Sequence, residues 1–167
     1  DLSRQSNLYF CLKDQKMMYD FNDKCDSKFR SHVMIYSPEV VVFFNDNYDL
    51  VHPIRISVIS AVPLDNTSMP SDKKSDARRV MKNRMRRILQ LAIYKNNKVI
   101  ILGAFGCGGC SHKPEDVAQI FKELLVNEFY GMFFSKIVFA IKGQPQQTNT
   151  SYQAFKDTIK KLEGLTS

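Results

Sequence analysis

Apolar residues recur along this chain in two rhythms. Leu2, Leu8, Tyr9 and Leu12 fall at helical spacing over residues 2–13, whereas the polar stretch 14–32 reads mainly as loop. Two β-branched and aromatic runs follow, VMIYSP and VVVFFNDN. They are divided by Ser37 and Pro38 and closed by the turn formers Asn45, Asp46 and Asn47. Residues 55–62, RISVISAV, predict a strand buried on both faces and stopped by Pro63. Beyond a polar loop, Ser71 and Asp72 are helix N-cap candidates. Ala77, Val80, Met81, Met85, Ile88, Leu89 and Ala92 then mark one face of a helix, and Arg78, Arg79, Lys82 and Arg86 mark the opposite face. Asn96 and Asn97 break it.

KVIILGAF predicts the next strand, a buried one that ends at Gly103. After a glycine loop, Pro114 suits the first position of a helix whose buried stripe is Val117, Ile120, Phe121, Leu124 and Leu125. KIVFAIKG predicts a further strand, residues 144–149 a loop, and Tyr152, Phe155, Ile159 and Leu162 a closing amphipathic helix. From residue 55 onward strands and helices alternate, which argues for an α/β layered fold with parallel strands and right-handed crossovers. With no internal repeat and no boundary, residues 1–167 read as a single domain.

Composition narrows the function classes. Hydrophobic residues make up 44% and charged residues 25%, which excludes disordered and fibrous classes. No apolar run approaches the ~18 residues of a membrane span, so no membrane role is expected. The net charge of +7 suits an anionic partner. Four cysteines, Cys11, Cys25, Cys107 and Cys110, with no secretory signal, read as reduced thiols in an intracellular compartment, whether cytoplasm, nucleus or organelle matrix.

The candidate chemistry sits in VIILGAFGCGGCSHKPEDVA. Three glycines, Gly106, Gly108 and Gly109, follow Gly103 at the carboxyl end of a strand, where α/β proteins place ligands. Glycines let backbone N–H groups converge on an anion. A helix N-terminus cannot help, because Glu115 and Asp116 occupy the first turn and repel a phosphate there. The pattern is neither a Walker loop nor GxGxxG. An ordinary glycine-rich turn explains it equally well when it is taken by itself.

In company it resembles a known family. LGAFGCG with PEDVAQIF, together with SRQSNLY, MIYSPEVVVFF, ISVISAVPLDN, RRVMKNRMRRILQLA and FSKIVFAI, is similar in order and spacing to the microbial-type poly(ADP-ribose) glycohydrolases over residues 2–142. The resemblance implies a macrodomain-like three-layer sandwich, a mixed and mostly parallel sheet between helices. It also implies ADP-ribose, free or on a protein, as ligand, with its diphosphate and ribose against Gly103, Ala104, Phe105, Gly106, Cys107, Gly108, Gly109 and Cys110. It implies a glycine-rich Gln-Glu-Glu catalytic element just before DLSRQSNLY, and the sequence begins at Asp1. No Glu-Glu pair occurs among Glu39, Glu115, Glu123, Glu128 and Glu163, so no catalytic residue is assigned within this chain. The expectation is the larger, later part of a longer family domain, hydrolytic only with an upstream Glu-bearing segment. The family commonly has an aromatic ring where Cys110 stands, which puts ribose packing in question.

Three rivals remain. Cys107 and Cys110 form a CxxC that suits redox chemistry or zinc, but no second pair at ligand spacing accompanies it, and neither a metal nor a cofactor is assigned. The basic helix over residues 72–87 is either a solvated face or a patch for nucleic acid or a larger complex. A non-catalytic structural or assembly subunit using that face is the alternative function. His112, Asp65 and Asn66 are peripheral ligand candidates, each equally explained by turn chemistry or surface placement.

Overall fold

A computed structural model describes residues 2–24, 29–67, 69–141 and 150–163, and it divides by packing into two units, Asp1–Val62 and Pro63–Ser167.

In the first unit the amphipathic opening is two short helices, α1 (Leu2–Gln5) and α2 (Leu8–Leu12). They are split at Ser6 and Asn7, where the backbone turns to pair with a strand. Asn7 donates its N–H to the Val41 carbonyl at 3.1 Å and accepts the Val41 N–H on its side-chain oxygen at 2.9 Å. The SRQSNLY motif therefore spends its polar residues on anchoring, with Gln5 reaching the Asn45 carbonyl and Asp46. The expectation of loop over 14–32 needs correcting. Lys16–Asp23 is a helix, α3, burying Met18 and Asn22. Polar composition hid it, because only that narrow stripe is buried. Asn22 supplies the contacts that stop it, accepting the Ser31 N–H on its side chain and an Arg30 N–H on its carbonyl.

The two runs around Pro38 are one strand, β1 (Met34–Phe44), paired antiparallel with β2 (Leu50–Ala61). Ser37 faces Val58 and Val40 faces Ile56, so Pro38 and Glu39 together oppose a single residue. The bulge absorbs a proline that has no N–H for the ladder, and Glu39 takes a φ of 56° there. Asn45 closes the hairpin as expected, its side chain accepting the N–H groups of Asn47 and Asp49. β2 is not buried on both faces. It is one arm of a hairpin, with Ile54 exposed and His52 and Arg55 in solvent.

In the second unit a single 3₁₀ turn, Ser71–Lys73, leads into α4 (Lys74–Tyr94). Neither Ser71 nor Asp72 caps it: the cap residue is Lys73, which makes no side-chain cap bond. Ala77, Met81, Met85, Leu89 and Ala92 are buried as the spacing predicts. β3 (Val99–Leu102) and β4 (Lys136–Phe139) pair in parallel across α5 (Pro114–Lys122), the right element order for a crossover. Pro114 opens α5, and Val117, Ile120 and Phe121 are buried, as are Leu124 and Leu125 in the π-helical turn Glu123–Asn127 that continues it. β3 buries Ile100 and Leu102, whereas Val99 and Ile101 on its other face are exposed, so the expected full burial does not hold. Phe121, Phe139 and Phe155 stack edge-on and tilted at 5.3–6.2 Å, joining α5, β4 and α6 (Thr150–Glu163). The expected loop at 144–149 and the side chains of Ile159 and Leu162 lie outside the described residues.

The first unit thus pairs its strands antiparallel and the second in parallel, and both units also carry helices, in keeping with the α/β expectation. No helix among the described residues is long and apolar enough to cross a membrane.

Candidate functional site

The glycine loop leaves the carboxyl end of β3 and returns at Pro114. It folds on itself through four backbone bonds: Phe105 N–H to Gly103, Cys107 N–H to Ala104, Ser111 N–H to Gly108 and His112 N–H to Gly106, all 2.9–3.1 Å. The segment after Pro63 clamps it from outside. Asn66 donates its backbone N–H to Cys110 at 3.0 Å and its amide to Ser111 at 3.2 Å. Half-buried His112 donates Nε2–H to the Leu64 carbonyl at 3.0 Å. Burial holds its ring below the ordinary histidine range, helped by the buried cation of Arg84, so the ring is neutral at pH 7. His112 and Asn66 therefore act as a latch on the loop, and Asp65 caps the Thr67 N–H.

The glycines differ in kind. Gly106 has a φ of +79°, and a Cβ there would lie 2.8 Å from the His112 ring, 3.1 Å from Pro63 and 3.2 Å from Met81. Only glycine fits. Gly108 and Gly109 are exposed, have no positive φ, and would meet nothing within 4 Å among the described residues if they carried a Cβ. Neither packing nor backbone conformation explains them. The N–H groups of Gly106, Gly108 and Gly109 also have no acceptor among the described residues. Three unengaged donors within four residues are the raw material of an anion cradle. Gly103, Ala104, Phe105, Cys107 and Cys110 occupy the same loop, Phe105 only half-buried.

The rival chemistries fare differently. Cys11, Cys107 and Cys110 are thiols with no disulfide between them. Burial, with the Glu115 carboxylate adding to it, pushes the Cys107 thiol up to about 11, the reverse of what a redox-active cysteine needs. No cluster of three His, Cys, Asp or Glu side chains occurs among the described residues.

The basic helix holds the unforeseen feature. Arg78, Lys82 and Arg86 recur every fourth residue on α4, and each meets Glu123 at the start of the α5 extension or Glu128 just after its end. Arg78 and Lys82 bind Glu123 at 2.6 and 2.7 Å, Lys82 also reaches Glu128 at 3.1 Å, and Arg86 grips Glu128 with two bonds of 2.7 and 2.9 Å. Burial alone would raise the Glu123 carboxyl, but hydrogen bonds from Lys82 and Arg78 bring it below its ordinary range. The Arg86 guanidinium pulls Glu128 down to about 2. Arg84, within the basic stretch 72–87, is instead buried, at 1% exposed. The one signal in the sequence was the four-residue basic repeat facing two acidic positions five apart.

The described family "Microbial-type PARG, catalytic domain" matches over residues 1–45. None of the curated proteins matches the chain. Among solved structures, the poly(ADP-ribose) glycohydrolase of Deinococcus radiodurans in its apo form is similar over 97% of this chain and 68% of that one, with 30% identity and a TM-score of 0.87. The same enzyme in complex with ADP-ribose is matched over 96% of this chain and 66% of that chain, at 28% identity and a TM-score of 0.88. The glycohydrolase of Thermomonospora curvata bound to the inhibitor ADP-HPD is matched over 93% and 60%, at 28% identity and 0.86. The chain spans about two thirds of the length of these structures or less. The macrodomain-like α/β fold expected from the sequence holds at this level of similarity.

Proposed function

The chain belongs to the poly(ADP-ribose) glycohydrolase family, and from that premise we propose that residues 103–110 hold the diphosphate and adjoining ribose of ADP-ribose, free or attached to a protein. The observation that carries this reading is the pair of glycines without a structural reason, Gly108 and Gly109. They stand beside three N–H groups that have no acceptor among the described residues. Bare amides at the end of a parallel strand bind a diphosphate without needing a cation, and the acidic first turn of α5 leaves that task to the loop. Glycine at 108 and 109 keeps the ligand's approach open.

Hydrolysis belongs to the proposal only with a glutamate-bearing segment outside residues 1–167. The described glutamates are committed elsewhere: Glu39 to Arg55, Glu123 and Glu128 to α4, and Glu115 to the start of α5. Residues 1–167 are treated as one macrodomain-like domain, a reading supported by single chains that match 96–97% of it. The intracellular reading is supported by the thiol state of Cys11, Cys107 and Cys110. Partnership with nucleic acid or a larger complex through residues 72–87 is the weaker reading, since Arg78, Lys82 and Arg86 already have internal counter-ions.

Titration of this chain with ADP-ribose, followed by calorimetry and melting temperature, tests the proposal. Binding raises the melting temperature, and Gly108→Glu abolishes the rise while the unliganded melting temperature stays put, because a Cβ at that exposed position meets nothing within 4 Å among the described residues. No heat and no shift at millimolar ADP-ribose would overturn it.

A further inference from the structure

The acidic start of α5 is the main obstacle to an anion at the glycine loop. Glu115 and Asp116 stand in the first turn of that helix, and the loop carries no charge of its own over residues 103–110. Neutral amides alone leave the repulsion uncompensated. The outer cations of α4 do not relieve it, because Arg78, Lys82 and Arg86 face Glu123 and Glu128.

Arg84 differs from them. It is 1% exposed and lies on the buried face of α4 with Met81 and Met85. That face packs against the loop: the Met81 methyl carbon is 3.2 Å from where a Cβ would stand on Gly106. Arg84 is three residues further along, on the adjacent turn of the same face. The His112 ring, 2.8 Å from the same Gly106 position, feels the Arg84 charge. Helix and histidine thus place the buried guanidinium on the packed side of the loop. Burying a permanent charge is costly, and an apolar residue would complete the stripe of α4 without that cost, so the cation calls for a use. The side chain also has interactions within the fold, which hold it there.

We propose that Arg84 is a positioning residue of the glycine loop, a buried cation whose field offsets the acidic turn of α5 and lets the loop amides take an anionic diphosphate. The guanidinium acts from behind the backbone and does not touch the ligand, which the amides hold. A fixed charge in the low-dielectric interior is screened less than a surface lysine, so its effect reaches across the loop. This inference rests on the ADP-ribose reading of residues 103–110.

Titration of the full chain, Arg84→Met and Arg84→Lys with ADP-ribose tests it. Arg84→Met should bind about tenfold more weakly or worse, whereas Arg84→Lys, which keeps the charge, should stay within about threefold of wild type. Both variants are expected to melt below wild type, so two further readings separate field from support. In unliganded Arg84→Met the amide resonances of Gly106, Gly108 and Gly109 should keep their wild-type positions. The His112 ring should titrate at higher pH there, because the repelling cation is gone. Wild-type affinity in Arg84→Met overturns the proposal. Equal loss in both variants, or displaced loop amides, also overturns it, since Arg84 would then be a structural prop. If Arg84→Met does not fold, ¹⁵N-arginine wild type decides: the Arg84 Nε resonance should shift saturably with inorganic pyrophosphate alongside the loop amides. Loop amides that move while the Arg84 resonance stays still overturn the role of Arg84 alone. A wild-type chain that binds neither ADP-ribose nor pyrophosphate overturns the loop reading and this inference together.

Discussion

Within the Pro63–Ser167 unit, α4 and the glycine loop present opposite kinds of surface. α4 carries a row of cations that suggests an anionic partner, yet Arg78, Lys82 and Arg86 are met by Glu123 and Glu128 from the same unit. The loop carries no charge over residues 103–110, yet it exposes three N–H groups without acceptors among the described residues and two glycines that nothing around them requires. Charge that is already paired serves the fold, because a partner would first have to break bonds of 2.6–2.9 Å. Uncharged donors left unpaired are the groups with free energy still to gain from a ligand. Hydrogen-bond satisfaction, more than formal charge, is therefore the ground on which the site is proposed.

Breaking the contrast should have graded consequences. The largest is expected inside the loop, where Gly106→Ala forces a side chain into left-handed backbone and against His112, Pro63 and Met81. Strain and overpacking together should cost about 2–4 kcal/mol in urea unfolding. Gly108→Glu, two residues on, should cost nothing measurable in the same assay, which separates the glycine the fold needs from the one assigned to the proposed site.

The ion-pair row comes next. Glu128→Gln leaves the part-buried Arg86 without its counter-charge and removes the weaker of the two partners of Lys82, and solvent screening limits the expected loss to about 1–2 kcal/mol. The same contribution depends on pH. The Glu128 carboxyl is held near 2 in the folded chain against an ordinary 4.5, so its stabilisation is complete above about pH 4.5 and drains away as pH falls toward 2. Wild type and Glu128→Gln should therefore converge in stability in that acid window. Equal stability at pH 7 would mean the row is ornamental.

The smallest effect is expected at Cys107. With its thiol pushed up to about 11, the thiolate population at pH 7 falls ~100-fold below that of an ordinary cysteine, and alkylation should slow to match. Rapid, selective modification of Cys107 would reopen the redox reading of the CxxC.

Much of the element plan was legible in the sequence, and its failures share a cause. The stripes of α4 and α5 were plain because a helix buries one face at a fixed period, and Pro114 marked its own helix start. α3 was hidden because only Met18 and Asn22 of its eight residues are buried. The single strand across Pro38 was hidden because a bulge, which the sequence does not announce, removes the penalty of a proline. The loop was located correctly from its glycines, but composition cannot tell a glycine demanded by its neighbours from one kept clear of them. That distinction depends on His112, Pro63 and Met81, which are far apart along the chain.

The sequence by itself determined the alternation of strand and helix, the position of the glycine loop and the family that its motifs resemble, since these depend on residue types at short spacing. Tertiary structure alone decided which polar groups are spent and which remain. It turned the basic face of α4 into a clamp, made His112 a neutral latch and left the Ser37 hydroxyl without a partner among the described residues. The physical reason is that hydrogen-bond and ion-pair satisfaction belongs to pairs of residues, and most of the pairs that matter here are dozens of positions apart.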